Sequence, residues 1–212
     1  MHATRIIAIR HGETAWNVDT RLQGHLDIAL NAKGLWQAEQ AARALADEPI
    51  AAIYTSDLLR AWHTAQAIAQ CTGAPQFASR DLRERCFGSF EGKTYAEIEA
   101  QWPEDALRWR KREPDWAPLG GESLLALRAR IAATVAAFAA QHVGGQIVLV
   151  AHGGVMDVLY RLATGQELQA PRTWQLGNAA INRLLWTPEG LTLVGWGDTA
   201  HLEDATLDES ST

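Results

Sequence analysis

Two short segments are apolar at nearly every position. Residues 5–10 carry Ile6, Ile7 and Ile9, and residues 146–151 carry Ile147, Val148, Leu149 and Val150. A strand covered on both faces reads this way, and the second segment suits the middle of a sheet. Between them the period shifts repeatedly to that of helices. Asn31 is a good N-cap for a helix to about Asp47, stopped by Pro49. Residues 51–55 form a second short strand, and Ser56 caps a helix to about Thr72, where Gly73 and Pro75 follow. A weak strand is expected at 76–79 within an irregular stretch, 75–92. An Ala-rich amphipathic helix spans 122–142, and another follows the apolar strand to about Thr164. Residues 181–186 and 191–196 read as a hairpin around Pro188-Glu189-Gly190. Residues 12–30 are polar and glycine-punctuated, hence a loop. Strands alternating with helices predict an α/β fold, a three-layer α/β/α sandwich with a mainly parallel central sheet.

One stretch breaks the alternation. Residues 93–121 hold Trp102, Trp109 and Trp116 together with Pro103, Pro114 and Pro118. Helical pieces near 94–101 and 104–112 fit a helical cap insertion. Its tryptophans either pack over a site or anchor a small subdomain. The chain of 212 residues fits one domain, 1–212, with a loose acidic tail at 203–212.

Composition narrows the function classes. Hydrophobic residues make up 47% and charged residues 21%, which describes an ordinary globular chain rather than a disordered or fibrous one. The formal net charge of −6 argues against a nucleic-acid partner, since the global field repels phosphates. Cys71 and Cys86 form no metal-ligand spacing and read as free thiols of a reducing compartment. No apolar run approaches a membrane span, and the apolar stretch at 6–9 is too short for a signal peptide. A cytoplasmic protein without membrane contact is expected, its oligomeric state open.

Both apolar strands end alike, in Arg10-His11-Gly12 and Ala151-His152-Gly153. In open α/β sheets ligands bind beyond the carboxyl ends of the strands, and two histidines placed there face one another. A glycine after each lets a ligand approach the backbone. Gly153-Gly154 also opens a helix whose N–H groups favour an anion. Arg10 and Arg60 supply guanidinium forks that match phosphate oxygens. Together they describe a phosphate pocket inside an acidic protein.

These residues resemble the histidine phosphatase superfamily, the phosphoglycerate-mutase-like proteins. Arg10–Asn17 is similar to the family's R-H-G-[ET]-x-x-N signature. Further matches follow in order: Arg21-Leu22-Gln23-Gly24 with Asp27, Ser56-Asp57-Leu58-Leu59-Arg60 with Thr64-Ala65, Leu82-Arg83-Glu84 with Gly88 and Glu91-Gly92, Gly120-Gly121-Glu122-Ser123, Ala151-His152-Gly153-Gly154, Asn178-Ala179-Ala180-Ile181 and His201-Leu202. The resemblance covers residues 5–202. It implies a phosphomonoesterase needing neither metal nor cofactor, acting on a small phosphorylated substrate. His11 would be the nucleophile, neutral at its attacking nitrogen. Arg10, Arg60 and His152 would clamp the phosphoryl group, with Asn17, Gln23, Gly24 and Gly153 as further substrate-binding positions. Glu84 would be the general acid and then the base. To donate near neutral pH its carboxyl must hold its proton, which burial or a dianionic ligand favours, while the flanking Arg83 and Arg85 oppose this if they point inward. His201 is a candidate for the pocket rim, and His63 receives no role. Gln23-Gly24-His25 and the short segment from Glu84 to His152 favour the phosphatases of the superfamily over its mutases. The alternatives are a cofactor-dependent phosphoglycerate mutase and a phosphoprotein phosphatase.

Overall fold

Alternation along the central strands decides the layering. In the computed structural model, which describes residues 3–203, β1 (Thr4–Arg10) points Ile6 and Ala8 to one side and Ile7 and Ile9 to the other. The first side packs on Leu127, Ile131 and Val135 of α6 (Leu124–Ala140) and on Val155, Val158 and Leu159 of α7 (Gly153–Thr164). The second packs on Ala42 of α2 (Ala32–Ala44) and on Ala61, Ala65 and Ile68 of α3 (Leu59–Thr72). β4 (Gln146–Ala151) is buried along its whole length, which its unbroken apolar pattern requires.

The remaining strands are β2 (Ala52–Ser56), β3 (Gln76–Ser79), β5 (Ile181–Thr187) and β6 (Gly190–Asp198). The sheet order is β3-β2-β4-β1-β5-β6. The first four strands run parallel to one another, β5 runs antiparallel to β1 and β6 antiparallel to β5, the α/β sandwich expected. Several boundaries move. Asn31 does cap α2, through Gly34 N–H, but the helix ends at Ala44. Ser56 does not cap α3: it is the last, buried residue of β2, and Leu58 occupies the cap position without a side-chain bond. The loop at 12–30 contains a turn of helix, α1 (Ala15–Val18), held by a capping box between Thr14 and Asn17. α6 starts at Leu124 rather than at Glu122, with Ser123 as its N-cap.

The stretch 93–121 holds α4 (Tyr95–Gln101) and α5 (Pro103–Arg110). Its tryptophans build a second small core: Trp102, Trp109 and Trp116 surround the fully buried Phe90, with ring centroids 5.6–5.9 Å from it. Of the tail expected at 203–212, positions 204–212 lie outside the described residues. Among the described residues no helix is long and apolar enough to cross a membrane.

Candidate active site

Strand register brings the two histidines together. β1 and β4 are parallel neighbours with Arg10 opposite Ala151, so the next residue of each strand emerges side by side. His11 N–H donates to Ala151 O at 3.0 Å, and the rings of His11 and His152 lie 5.3 Å apart, tilted by 60°. Both histidines are buried. The His11 ring is fixed by one bond: Nδ1–H donates to Gly12 O at 2.6 Å. That sets the tautomer and leaves the Nε2 lone pair free. Burial, then the charges of Arg10 and Arg60, hold His11 well below the usual imidazole range, so it is neutral at physiological pH. His152 is lowered in the same direction, first by burial and then by Arg60. A carbonyl holding the second nitrogen is the one feature of the nucleophile that residue order leaves invisible.

His152 is oriented by Ser56, whose Oγ lies 2.8 Å from Nε2. Leu58 N–H already donates to that Oγ at 3.3 Å, so the hydroxyl proton is free to point at Nε2. Nδ1 then carries the ring proton. It is buried with no partner among the described residues, as are Arg10 Nε and Arg60 Nε. Buried donors without acceptors are costly, and three of them converge on the two strand ends. They fit the oxygens of a phosphoryl group.

Arg60 is 1% exposed. Its Nη1 and Nη2 donate to Leu26 O and Gly24 O, both at 2.8 Å. Gly24 needs to be glycine: its φ is +53°, and a Cβ would come within 2.3 Å of Glu91 Oε1. Its role is thus to present a carbonyl to Arg60. Burial lowers Arg60 to about 10, against the opposing pull of Glu84, and it stays cationic at neutral pH. Arg10 donates through Nη1 to Leu176 O at 2.6 Å. Burial lowers it as well. Thr14 Oγ1 lies 3.0 Å from Gln23 Oε1, and Asn17 Oδ1 accepts from Thr14 N–H at 3.0 Å. With their oxygens engaged inside the loop, both amides have NH₂ groups to offer.

Glu84, 9% exposed, follows a short 3₁₀ turn (Arg80–Leu82) anchored by buried Leu82. Its backbone carbonyl accepts from His25 Nε2–H at 2.9 Å, and Arg130 Nη1 holds the carbonyls of Asp81 and Arg83. Its carboxylate is held by two backbone donors, Arg85 N–H to Oε1 at 2.7 Å and Gly154 N–H to Oε2 at 3.0 Å. The flanking arginines point elsewhere: Arg83 forks onto Asp57 at 2.6 and 2.7 Å, and Arg85 Nε donates to Glu122 O.

The glycines divide their work differently from the expectation. Gly12 makes room for α2, since a Cβ would lie 2.3 Å from Gly34 O. Gly153 brings the start of α7 beside Arg10, where a Cβ would make an ordinary 3.5 Å contact with Nε. Gly154 is what lets Glu84 in: a Cβ there would sit 2.2 Å from Oε1.

Sequence reasoning missed three supporting side chains. Ser56 was read as a helix cap. Thr64 Oγ1 accepts from Gly12 N–H at 3.0 Å, and Asn178 Nδ2 donates to His11 O at 2.8 Å. All three lie in the motifs quoted above, and that membership is the only signal they carry. His201, the candidate for the rim, donates through Nε2–H to Ala179 O at 3.0 Å, and Ala179 N–H donates to Arg10 O. A cleft of about 680 Å³ is lined by His25, Arg83, Cys86 and Arg130, and none of the five catalytic candidates lines it. Among the described residues no cluster of three or more His, Cys, Asp or Glu could hold a metal ion.

This geometry agrees with known proteins. The model of the histidine phosphatase superfamily (branch 1) matches residues 6–199. The chain belongs to the histidine phosphatase superfamily. It is 38% identical to phosphoglycerate mutase-like protein 4 of Arabidopsis thaliana, over 94% of this chain and 87% of that one. It is 37% identical to glucosyl-3-phosphoglycerate phosphatase of Mycobacterium tuberculosis, over 89% of each. The solved structure of Bacillus stearothermophilus YhfR superposes with a TM-score of 0.87 at 30% identity, covering 95% of this chain and all of that one. The histidine phosphatase described here is a phosphoric monoester hydrolase acting on small phosphorylated metabolites.

Proposed function

We propose that this histidine phosphatase transfers the phosphoryl group of its substrate to His11 Nε2 and then to water. The observation that carries the reading is the Nδ1–H···O bond to Gly12, which leaves a neutral Nε2 lone pair beside three unpartnered buried donors. Nε2 attacks phosphorus and the bond from phosphorus to the leaving oxygen breaks. Glu84 gives its proton to that oxygen. Arg10, Arg60 and His152 Nδ1–H hold the phosphoryl oxygens as charge spreads onto them. Asn17, Gln23 and the start of α7 at Gly153 add neutral donors. A water then attacks phosphorus, Glu84 takes its proton, and the N–P bond breaks to release inorganic phosphate. Residues 93–121 form a cap whose aromatic core supports the strap carrying Glu84, since Arg85 stacks 4.7 Å over Trp109. The free thiols Cys71 and Cys86 support a reducing, cytoplasmic setting.

The test is phosphate release in EDTA from an aryl phosphate and a panel of alkyl phosphates, with His11→Ala as blank and acid-labile phosphate trapped on the protein. Release and trapping that depend on His11 and survive chelation are expected. Glu84→Gln should slow alkyl esters far more than aryl ones. Wild-type rates in His11→Ala, or rapid phosphoglycerate interconversion without release, would overturn the reading.

A further inference from the structure

The general acid stands on the least regular part of the site. His11 and His152 follow central strands and Arg60 rises from a helix, whereas Glu84 lies in residues 83–87, outside any helix or strand. No ladder fixes such a segment, so its peptide groups need partners from elsewhere. One side chain supplies several of them. Arg130 Nη1 donates to Asp81 O at 2.8 Å and to Arg83 O at 3.0 Å, and Nη2 reaches Glu84 O at 3.4 Å. The same guanidinium forks onto Glu122, Nε to Oε1 at 3.0 Å and Nη2 to Oε2 at 2.8 Å. Glu122 in turn holds the strap beyond the acid. Its N–H donates to Cys86 O at 2.8 Å, its Oε2 accepts from Cys86 N–H at 3.4 Å, and its carbonyl accepts from Arg85 Nε at 2.7 Å. The backbone on both sides of Glu84 is thus tied to one ion pair.

Arg130 can serve as an anchor because α6 is itself fixed. Leu127 and Ile131, on either side of it along the helix, are buried against the sheet. Arg130 stands at the edge of that face, its side chain only 22% exposed. The Glu84 carboxylate faces α7 instead, where Gly154 N–H donates to it. We propose that Arg130, locked by Glu122, is the positioning residue for the general acid: gripping the strap carbonyls from α6, it sets where the Glu84 carboxyl stands. His25 binds Glu84 O alone, whereas Arg130 spans the carbonyls of Arg83 and Glu84. The assignment rests on Glu84 as the acid, and it adds what holds that acid in place.

Arg130 lines the cleft of about 680 Å³, so truncating it leaves a gap that solvent reaches, and guanidinium ion is the probe. Kinetics are compared on p-nitrophenyl phosphate and on the alkyl phosphate that the wild-type enzyme turns over best. Arg130→Ala should lose about 10- to 100-fold in alkyl kcat, with KM within about twofold and aryl turnover within about fivefold. Millimolar guanidinium chloride should restore part of the alkyl turnover in that variant; urea, which has the shape without the charge, should not. In a Glu84→Gln background Arg130→Ala should cost nothing further on the alkyl ester, because the group it positions is gone. Glu122→Gln keeps the shape of the partner and should give a smaller loss, again confined to the alkyl ester; it carries the test if Arg130→Ala does not fold. Equal losses on both esters, additive losses in the double variant, or a loss that guanidinium leaves untouched overturns the assignment while Glu84 keeps its role. An alkyl ester that Glu84→Gln does not slow removes the acid, and this assignment with it.

Discussion

The second glycine of the His152-Gly153-Gly154 run makes a sharp prediction about Glu84. In Gly154→Ala the new Cβ would start 2.2 Å from Glu84 Oε1, against a closest natural approach of 3.0 Å. The carboxyl must then retreat by at least about 0.8 Å, and its bond from Gly154 N–H lengthens from 3.0 Å out of hydrogen-bond range. A displacement near 1 Å of a catalytic group costs roughly 100-fold. The helix itself does not suffer: alanine in the first turn of α7 gains up to about 1 kcal/mol of propensity over glycine. Activity and stability should therefore move apart. We expect kcat for an alkyl phosphate to fall by about 100-fold, p-nitrophenyl phosphate to lose less than about fivefold, and the melting temperature to hold or rise. Aryl phosphates leave without a proton, which is why they report the clamp rather than the acid. Equal loss on both esters with an unchanged melting temperature would falsify the idea that Gly154 serves Glu84 and assign it to the phosphoryl site instead.

Three further outcomes follow from the same geometry. Ser56→Ala removes the hydroxyl that fixes His152 and should cost about 10- to 100-fold in kcat/KM on aryl and alkyl esters alike, as for other orienting partners; unchanged kinetics would show that the ring keeps its tautomer unaided. Arg60→Ala should lower kcat/KM by about 10²–10³, the loss of one buried donor to a charged transition state, and should also lower stability by orphaning Gly24 O and Leu26 O; full activity would remove Arg60 from the clamp. His11 and His152 are both depressed in the folded protein, so the unfolded chain binds their protons first. Their contribution to stability is complete above the unfolded value near 6.5 and is lost as pH falls below it toward the folded values. The pair imposes a loss of up to about 2.7 kcal/mol per pH unit in that window. Denaturant titrations at pH 7.5, 6.0 and 5.0 should give a slope shallower by about 1.4 kcal/mol per unit in His11→Asn, and equal slopes would contradict the burial of a neutral His11.

Much of this was legible in the residue pattern, and the gaps have physical causes. β1 and β4 could be read because burial on both faces leaves no polar position to confuse the period. Their histidines follow at the strand ends, and parallel pairing does the rest. The misread residues are those whose local chemistry has two uses. Ser56 next to a helix is a good cap by propensity, but the burial of His152 created a stronger demand for its hydroxyl. Gly12 looks like an opening for a ligand and Gly154 like part of an anion-favouring helix start, yet their missing Cβ atoms admit Gly34 and Glu84, neighbours 22 and 70 residues away in the chain. The short α1 escaped notice because four residues carry no period; only its Thr14–Asn17 capping box defines it. Arg130 meets the strap carbonyls across 46–49 residues, a pairing that spacing alone does not encode.

The position of β1 in the sheet also has a consequence for how the chain comes into being. Both neighbours of this strand, β4 and β5, begin at residue 146 or later, and Arg5 pairs with Gln146. The strand that carries the nucleophile is therefore made well before its partners, and the strand that seats it arrives 141 residues later. At translation rates of 5–20 residues per second, that gap lasts roughly 7–28 s. Throughout it the Ile6–Ile9 run has no partner strand, and a fragment ending before residue 146 owns His11 but nothing to hold it beside a second histidine. Catalytic competence arrives late and all at once, so a stalled or truncated product cannot act as a partial phosphatase.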